Sequence, residues 1–261
     1  MAESQSRQRS LRILVLNPNS STAMTGGMAA AIEKLALPDS ITFSTYTAPP
    51  SAPASIDGQE DINKSTQTVL DDADLAKDLE SGKYDAVLVA CFSVHSLVPK
   101  LSGKYQHLAV TGIFEASITT ALSLTPAPLN NEKWGIVTTG KFWEAHLEDG
   151  VKAFLGQDKT VANYKFAGVF TSGLTAGDFH TLPPKEVEAK LKAATTRLFS
   201  AGNVNCVVMG CGGMAGLEDI IRQTSIISYG KDVGEQVYIV DGVKAGILQL
   251  EQTVHSMRAF R

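Results

Sequence analysis

Short β-rich apolar runs alternate with longer segments of helical period along the whole sequence, and this alternation restricts the chain to an α/β architecture built on parallel sheets. Strands are expected over 12–16, 41–46, 86–90, 108–111, 135–138, 165–170, 204–209 and 237–240. Helices are expected between them, over 21–35, 59–79, 116–122, 142–154, 184–201, 217–228 and 243–254, several opened by a Ser, Thr or Asp that can cap the first turn. The Pro-, Ser- and Ala-rich stretch 48–56 suits neither a helix nor an inner strand, so it reads as a loop long enough to act as a lid.

A repeat divides this pattern in two. Asp85-Ala-Val-Leu-Val-Ala-Cys91 and Asn205-Cys-Val-Val-Met-Gly-Cys211 each end an apolar strand on a cysteine, and they lie about 120 residues apart. Arg12-Ile-Leu-Val-Leu-Asn17 and Lys133-Trp-Gly-Ile-Val-Thr138 stand at nearly the same offset. The expected molecule therefore has two pseudo-symmetric lobes, each a short, mainly parallel sheet flanked by helices. Residues 11–113 plus 241–261 form the N-terminal lobe, 114–240 the C-terminal lobe, and 1–10 a disordered tail. In such sheets ligands bind at the carboxyl ends of the strands. Asn17, Cys91, Thr138 and Cys211 would then converge on the cleft between lobes.

Composition narrows the functional classes. With 261 residues the chain has ample length for a core. Its 23 Lys and Arg against 27 Asp and Glu leave a net charge of -4, which provides no general attraction to nucleic acid or to an anionic membrane. No apolar run approaches the roughly 18 to 20 residues of a spanning helix, and 1–10 is polar and lacks the apolar segment of a secretory signal. The three cysteines form no CxxC pair, and the five histidines show no metal-ligand spacing. A soluble cytoplasmic protein without metal, nucleic-acid or membrane partners is the expectation.

Cys91 and Cys211 are the residues with chemical promise. At the end of a strand a thiol meets free backbone N–H groups and a helix N-terminus, and both lower its pKa. A lone strand-end cysteine is usually a small buried hydrophobe. Two in repeated context, facing one cleft from opposite lobes, suggest a base on one face of a carbon acid and an acid on the other. Cys206, in mid-strand, reads as core. His95, four residues after Cys91, could tune that thiol, and a Cys-His hydrolase pair is the competing reading. The glycines at 210, 212, 213 and 216 lack the GxGxxG spacing of a dinucleotide loop. Gly212 and Gly213 instead free N–H groups beside Cys211 for a carbonyl or developing oxyanion. The serines of Asn17-Pro18-Asn19-Ser20-Ser21 are explained by helix capping. Asn17 is not, and its amide suits an amide-like substrate, as do Ser93, Thr138 and Thr139.

At these residues the sequence resembles the Asp/Glu/hydantoin racemase superfamily, in its hydantoin and allantoin racemase branch and as a fungal-type member. The resemblance spans nearly the whole chain: Leu16-Asn17-Pro18-Asn19-Ser20-Ser21, Ser55-Ile56-Asp57-Gly58, Ala90-Cys91-Phe92, Gly112-Ile113-Phe114-Glu115-Ala116, Val137-Thr138-Thr139 and Gly210-Cys211-Gly212-Gly213-Met214. It implies a two-lobed fold, likewise homo-oligomeric, and cofactor-independent racemisation of a small-molecule substrate. Cys91 and Cys211 would be the catalytic pair, and Asn17, Ser93, Thr138, Thr139, Gly212 and Gly213 would bind the substrate. The Cys-Asn-Thr and Gly-Cys-Thr motifs of the amino-acid racemases are replaced here by Cys91-Phe92-Ser93 and Gly210-Cys211-Gly212. That difference points to a 5-substituted hydantoin such as allantoin, and so to purine catabolism, rather than to a free amino acid. Decarboxylation or cis-trans isomerisation of a small carbonyl acid, and non-catalytic ligand sensing, are the rival expectations.

Overall fold

The computed structural model describes residues 10–126 and 131–261. Of the expected tail 1–10, all but Ser10 lies outside the described residues. Eight strands form two four-stranded parallel sheets with helices around them: β1 (Leu11–Asn17), β2 (Ile41–Thr47), β3 (Ala86–Val89) and β4 (Ala109–Gly112) in the first, β5 (Lys133–Thr138), β6 (Phe166–Thr171), β7 (Val204–Met209) and β8 (Tyr238–Asp241) in the second. The strand orders, β2-β1-β3-β4 and β6-β5-β7-β8, are the same order applied twice. All six pairings are parallel.

The inner strands are apolar along their length because helices cover both faces, which removes the alternation of a half-solvated sheet. Every residue of β3 is buried, as are all of β1 except Arg12 and all of β5 except Lys133. The helices that follow β4 and β8 exchange places: α5 (Ile113–Leu124) packs on β7 and β8 of the second sheet, and α11 (Gly242–Ala259) on β1, β3 and β4 of the first. The two also pack against each other, so each half completes the other's core. Gly246 makes the α11 approach possible, since a Cβ there would stand 2.4 Å from Leu88 Cδ1.

The structure departs from the expected helices where local chemistry competes with apolar period. The helix expected over 59–79 breaks into α2 (Gln59–Leu70) and α3 (Ala73–Glu80), because Asp72 turns its carboxylate onto the Leu75 N–H at 2.9 Å and starts a new helix. Helix α4 (Leu97–Lys104) was not among the expected helices. Pro99 falls in the first turn, where its missing N–H costs nothing. Helix α5 begins three residues before the expected 116. As expected, α1 (Thr22–Glu33) is capped by Ser21, while α6 (Phe142–Phe154), α8 (Pro184–Ser200) and α9 (Glu218–Tyr229) complete the longer helices. Single turns form α7 (Asp178–Thr181) and α10 (Lys231–Gly234). Among the described residues no helix is long and apolar enough to cross a membrane.

Candidate active site

The duplicated topology places the two cysteines at equivalent points. One residue beyond β3, Ala90 N–H donates to the Leu16 carbonyl at 2.8 Å, and Cys91 follows. One residue beyond β7, Gly210 N–H donates to the Val137 carbonyl at 2.7 Å, and Cys211 follows. Both cysteines line one small, narrow cavity. Asn19 and Thr139 add polar groups, and Met24, Met28, Ile56, Phe92 and Trp143 form an apolar wall. Gly212 and Gly213 border the same space. A Cβ on Gly213 would come within 2.9 Å of the Ala176 carbonyl, so only glycine lets the loop after β6 close over Cys211.

The expected lowering of the thiol pKa values is not found. Burial pushes both Cys91 and Cys211 up to about 12. No helix begins directly after Cys91, since α4 starts only at Leu97, and Cys211 is followed by a single 3-10 turn, Gly212–Met214. The two sites differ in what opposes burial. Cys91 Sγ has the Ser93 hydroxyl at 3.4 Å, while Cys211, Asp57 and Glu115 act on it as like charges. Cys211 Sγ accepts the Gly213 N–H at 3.3 Å and is further favoured by the Met214 N–H, with Asp57 as its opposing charge.

Of the residues expected to bind substrate, Thr139, Gly212 and Gly213 line the cavity, whereas Asn17, Ser93 and Thr138 do not. Asn17 is fully buried; its amide donates to Asn19 Oδ1 and Thr25 Oγ1, each at 3.0 Å, and its carbonyl oxygen accepts the Asn19 N–H at 3.1 Å. It shapes the loop that presents Asn19. Thr138 donates its hydroxyl to the Gly210 carbonyl and so clamps β5 to the turn before Cys211. Ser93 spends its N–H on the Cys91 carbonyl at 3.0 Å and reaches only the thiol.

His95 does not serve Cys91. Its Nδ1 accepts the Leu97 N–H at 3.3 Å, which leaves the proton on Nε2, 3.1 Å from Ser65 Oγ. Burial holds this neutral ring's pKa down at about 4.

Sequence reasoning missed Asn19, the apolar wall, Asp57 and Glu115. Asn19 and Asp57 stood in the quoted motifs but were overshadowed by Asn17 and the loop reading. Trp143 had a usable signal: it lies in the first turn of the helix after β5, just beyond Thr138 and Thr139. Glu115 folds back toward Gly112, and its Oε2 has no hydrogen-bond partner among the described residues. Burial raises its pKa to about 7.

Comparison with known proteins bears on this arrangement. The Asp/Glu/Hydantoin racemase family model matches residues 13–250. An uncharacterised protein of Schizosaccharomyces pombe is 32% identical over 94% of this chain and 92% of its own. A hydantoin racemase of a Pseudomonas species is 29% identical over 94% of this chain and 86% of its own. Among solved structures, an allantoin racemase from Pseudomonas fluorescens superposes with a TM-score of 0.73 at 26% identity, covering 95% of this chain and 92% of that one.

Proposed function

Because the chain belongs to the Asp/Glu/hydantoin racemase family, we propose that it is an isomerase that racemises a 5-substituted hydantoin, allantoin included, by moving one proton between two cysteines. The observation that carries the reading is the pair of thiols at equivalent strand ends, Cys91 and Cys211, lining one cavity. Racemisation at a carbon acid requires removal of a proton from one face and delivery to the other. Two groups on opposite halves of a duplicated fold suit that requirement.

In this reading Cys211 is the first base. Its sulfur accepts the Gly213 N–H, which stabilises a thiolate, while Cys91 has a hydroxyl and additional negative neighbours. The Cys211 thiolate takes the ring C–H proton, the electron pair moves onto the adjacent carbonyl oxygen as an enolate, and the Cys91 thiol protonates the carbon from the far side. The roles reverse for the other enantiomer. The two thiols titrate as a coupled pair.

The test is decay of optical rotation with enantiopure allantoin and other 5-substituted hydantoins, run in buffer with a chelator. Aspartate and glutamate serve as controls. Racemisation of a hydantoin, accompanied by incorporation of solvent deuterium at the ring carbon, is the expected result. Racemisation of either amino acid with hydantoins untouched would overturn the substrate class.

A further inference from the structure

One carboxylate that this chemistry leaves unused stands beside the cavity. Asp57 follows Ile56, part of the wall, and its Oδ1 accepts the N–H of Ala176, another part of the wall, at 3.5 Å. This bond joins a loop of the first half to the loop after β6 in the second. The Asp57 N–H donates to Asp61 Oδ2 at 3.0 Å, which fixes the turn into α2. Asp57 is also the carboxylate whose charge reaches both thiols, while Glu115 acts on Cys91. Among the described residues lining the cavity there is no Lys or Arg to offset it.

We propose that Asp57 is a specificity-determining residue that reserves the cavity for uncharged substrates by repelling anions. The inference rests on the racemase reading for its substrate and extends it by naming the residue that sets the charge. Removing a carbon-bound proton from a neutral ring leaves one negative charge, whereas removing it from an anion leaves two. The repulsion that turns an anion away therefore also selects the form that is easier to deprotonate. A free amino acid, with its carboxylate, and a ring already ionised at nitrogen are both disfavoured.

The test does not require turnover. Neutral iodoacetamide and anionic iodoacetate alkylate the same thiolate, and their rate ratio on 2-mercaptoethanol gives the intrinsic preference. In the native protein the ratio at Cys91 and Cys211, read by mass spectrometry, is expected to favour iodoacetamide by roughly tenfold more, the factor of about 1.4 kcal/mol of repulsion. Asp57→Asn should lose that excess and Asp57→Glu should keep it. A native ratio equal to that of 2-mercaptoethanol, or an excess surviving in Asp57→Asn with a native circular dichroism spectrum, would overturn the proposal. If no hydantoin is racemised but the excess is present and falls in Asp57→Asn, the racemase reading fails and the charge filter stands. A second arm compares a hydantoin bearing a carboxamide side chain with its carboxylate counterpart. The kcat/KM ratio between them should fall roughly tenfold in Asp57→Asn.

Discussion

The raised thiols give the site a distinctive response to pH. At pH 8 a cysteine at its ordinary value of 9.0 is ionised to roughly a tenth, whereas one pushed up to about 12 is ionised to about one part in 10⁴. Since only the thiolate reacts, iodoacetamide should modify Cys91 and Cys211 in the free protein about 10³ times more slowly than an unperturbed thiol. The slope separates this cause from simple steric shielding. Shielding slows alkylation by a constant factor at every pH, so its profile would still level off above 9. Suppressed ionisation makes the rate climb tenfold per pH unit from 7 through 10 with no plateau. In the proposed two-cysteine reaction, racemisation should follow the same limb, because each turnover would need one thiolate and one thiol. The assay is site-resolved mass spectrometry of timed iodoacetamide reactions at half-unit steps, alongside kcat/KM for an enantiopure hydantoin. A plateau in the alkylation rate of either cysteine below pH 9 would show that backbone donors outweigh burial, and the reasoning would fail.

Cys91→Ser and Cys211→Ser should each lower racemisation by at least about 10³-fold without loss of fold, while Cys206→Ala, at a fully buried position inside β7, should keep most activity; parallel kinetics and thermal melts decide this. His95, buried and neutral with its pKa lowered to about 4, contributes stability that is present above 6.5 and lost as pH falls toward 4. The loss should reach about 3 kcal/mol in acid denaturation curves and should disappear in His95→Gln. Glu115 has the opposite sign: its raised pKa of about 7 means stability present below 4.5 and lost as pH rises through 7. Glu115→Gln should therefore raise the melting temperature at pH 8 and leave it unchanged at pH 4, as scanning calorimetry would show.

The inner strands were legible because a strand buried on both faces must be apolar throughout, and the edge strands, such as the half-exposed β2, because β-branched and aromatic residues fill them. The equivalence of Cys91 and Cys211 was legible for the same reason, since each terminates such a strand. Helix boundaries were less so. Asp72 ends one helix and begins another through a single side-chain bond that apolar period does not register. The polar residues were harder still, because a side chain at a strand end can face the ligand or the adjoining loop. Asn17 and Asn19 share a motif, yet Asn17 turns inward to Thr25 while Asn19 reaches the cavity. That choice depends on where Thr25 falls on α1, which is a tertiary fact. The thiol pKa values were misjudged because the local donors are visible in sequence and the burial that outweighs them is not.

The duplication accounts for the paired thiols, and its imperfection for how they would divide the work in the proposed reaction. Equivalent strand ends bring two sulfurs to the lining of one cavity. If their surroundings were also equivalent, neither would be favoured to hold the thiolate, and each turnover would begin from an arbitrary partner. The loops differ instead: the turn at Gly212 and Gly213 brings the Gly213 N–H to Cys211, whereas Phe92 and Ser93 place an aromatic ring and a hydroxyl around Cys91, with Glu115 nearby. Backbone donors cannot be protonated or reoriented, so they stabilise an anion at constant geometry. A hydroxyl can rotate to donate or accept and therefore serves a thiol as readily as a thiolate. In the proposed two-cysteine reaction the repeat would thus supply the two faces, and the residues just after each cysteine would set which sulfur begins as base.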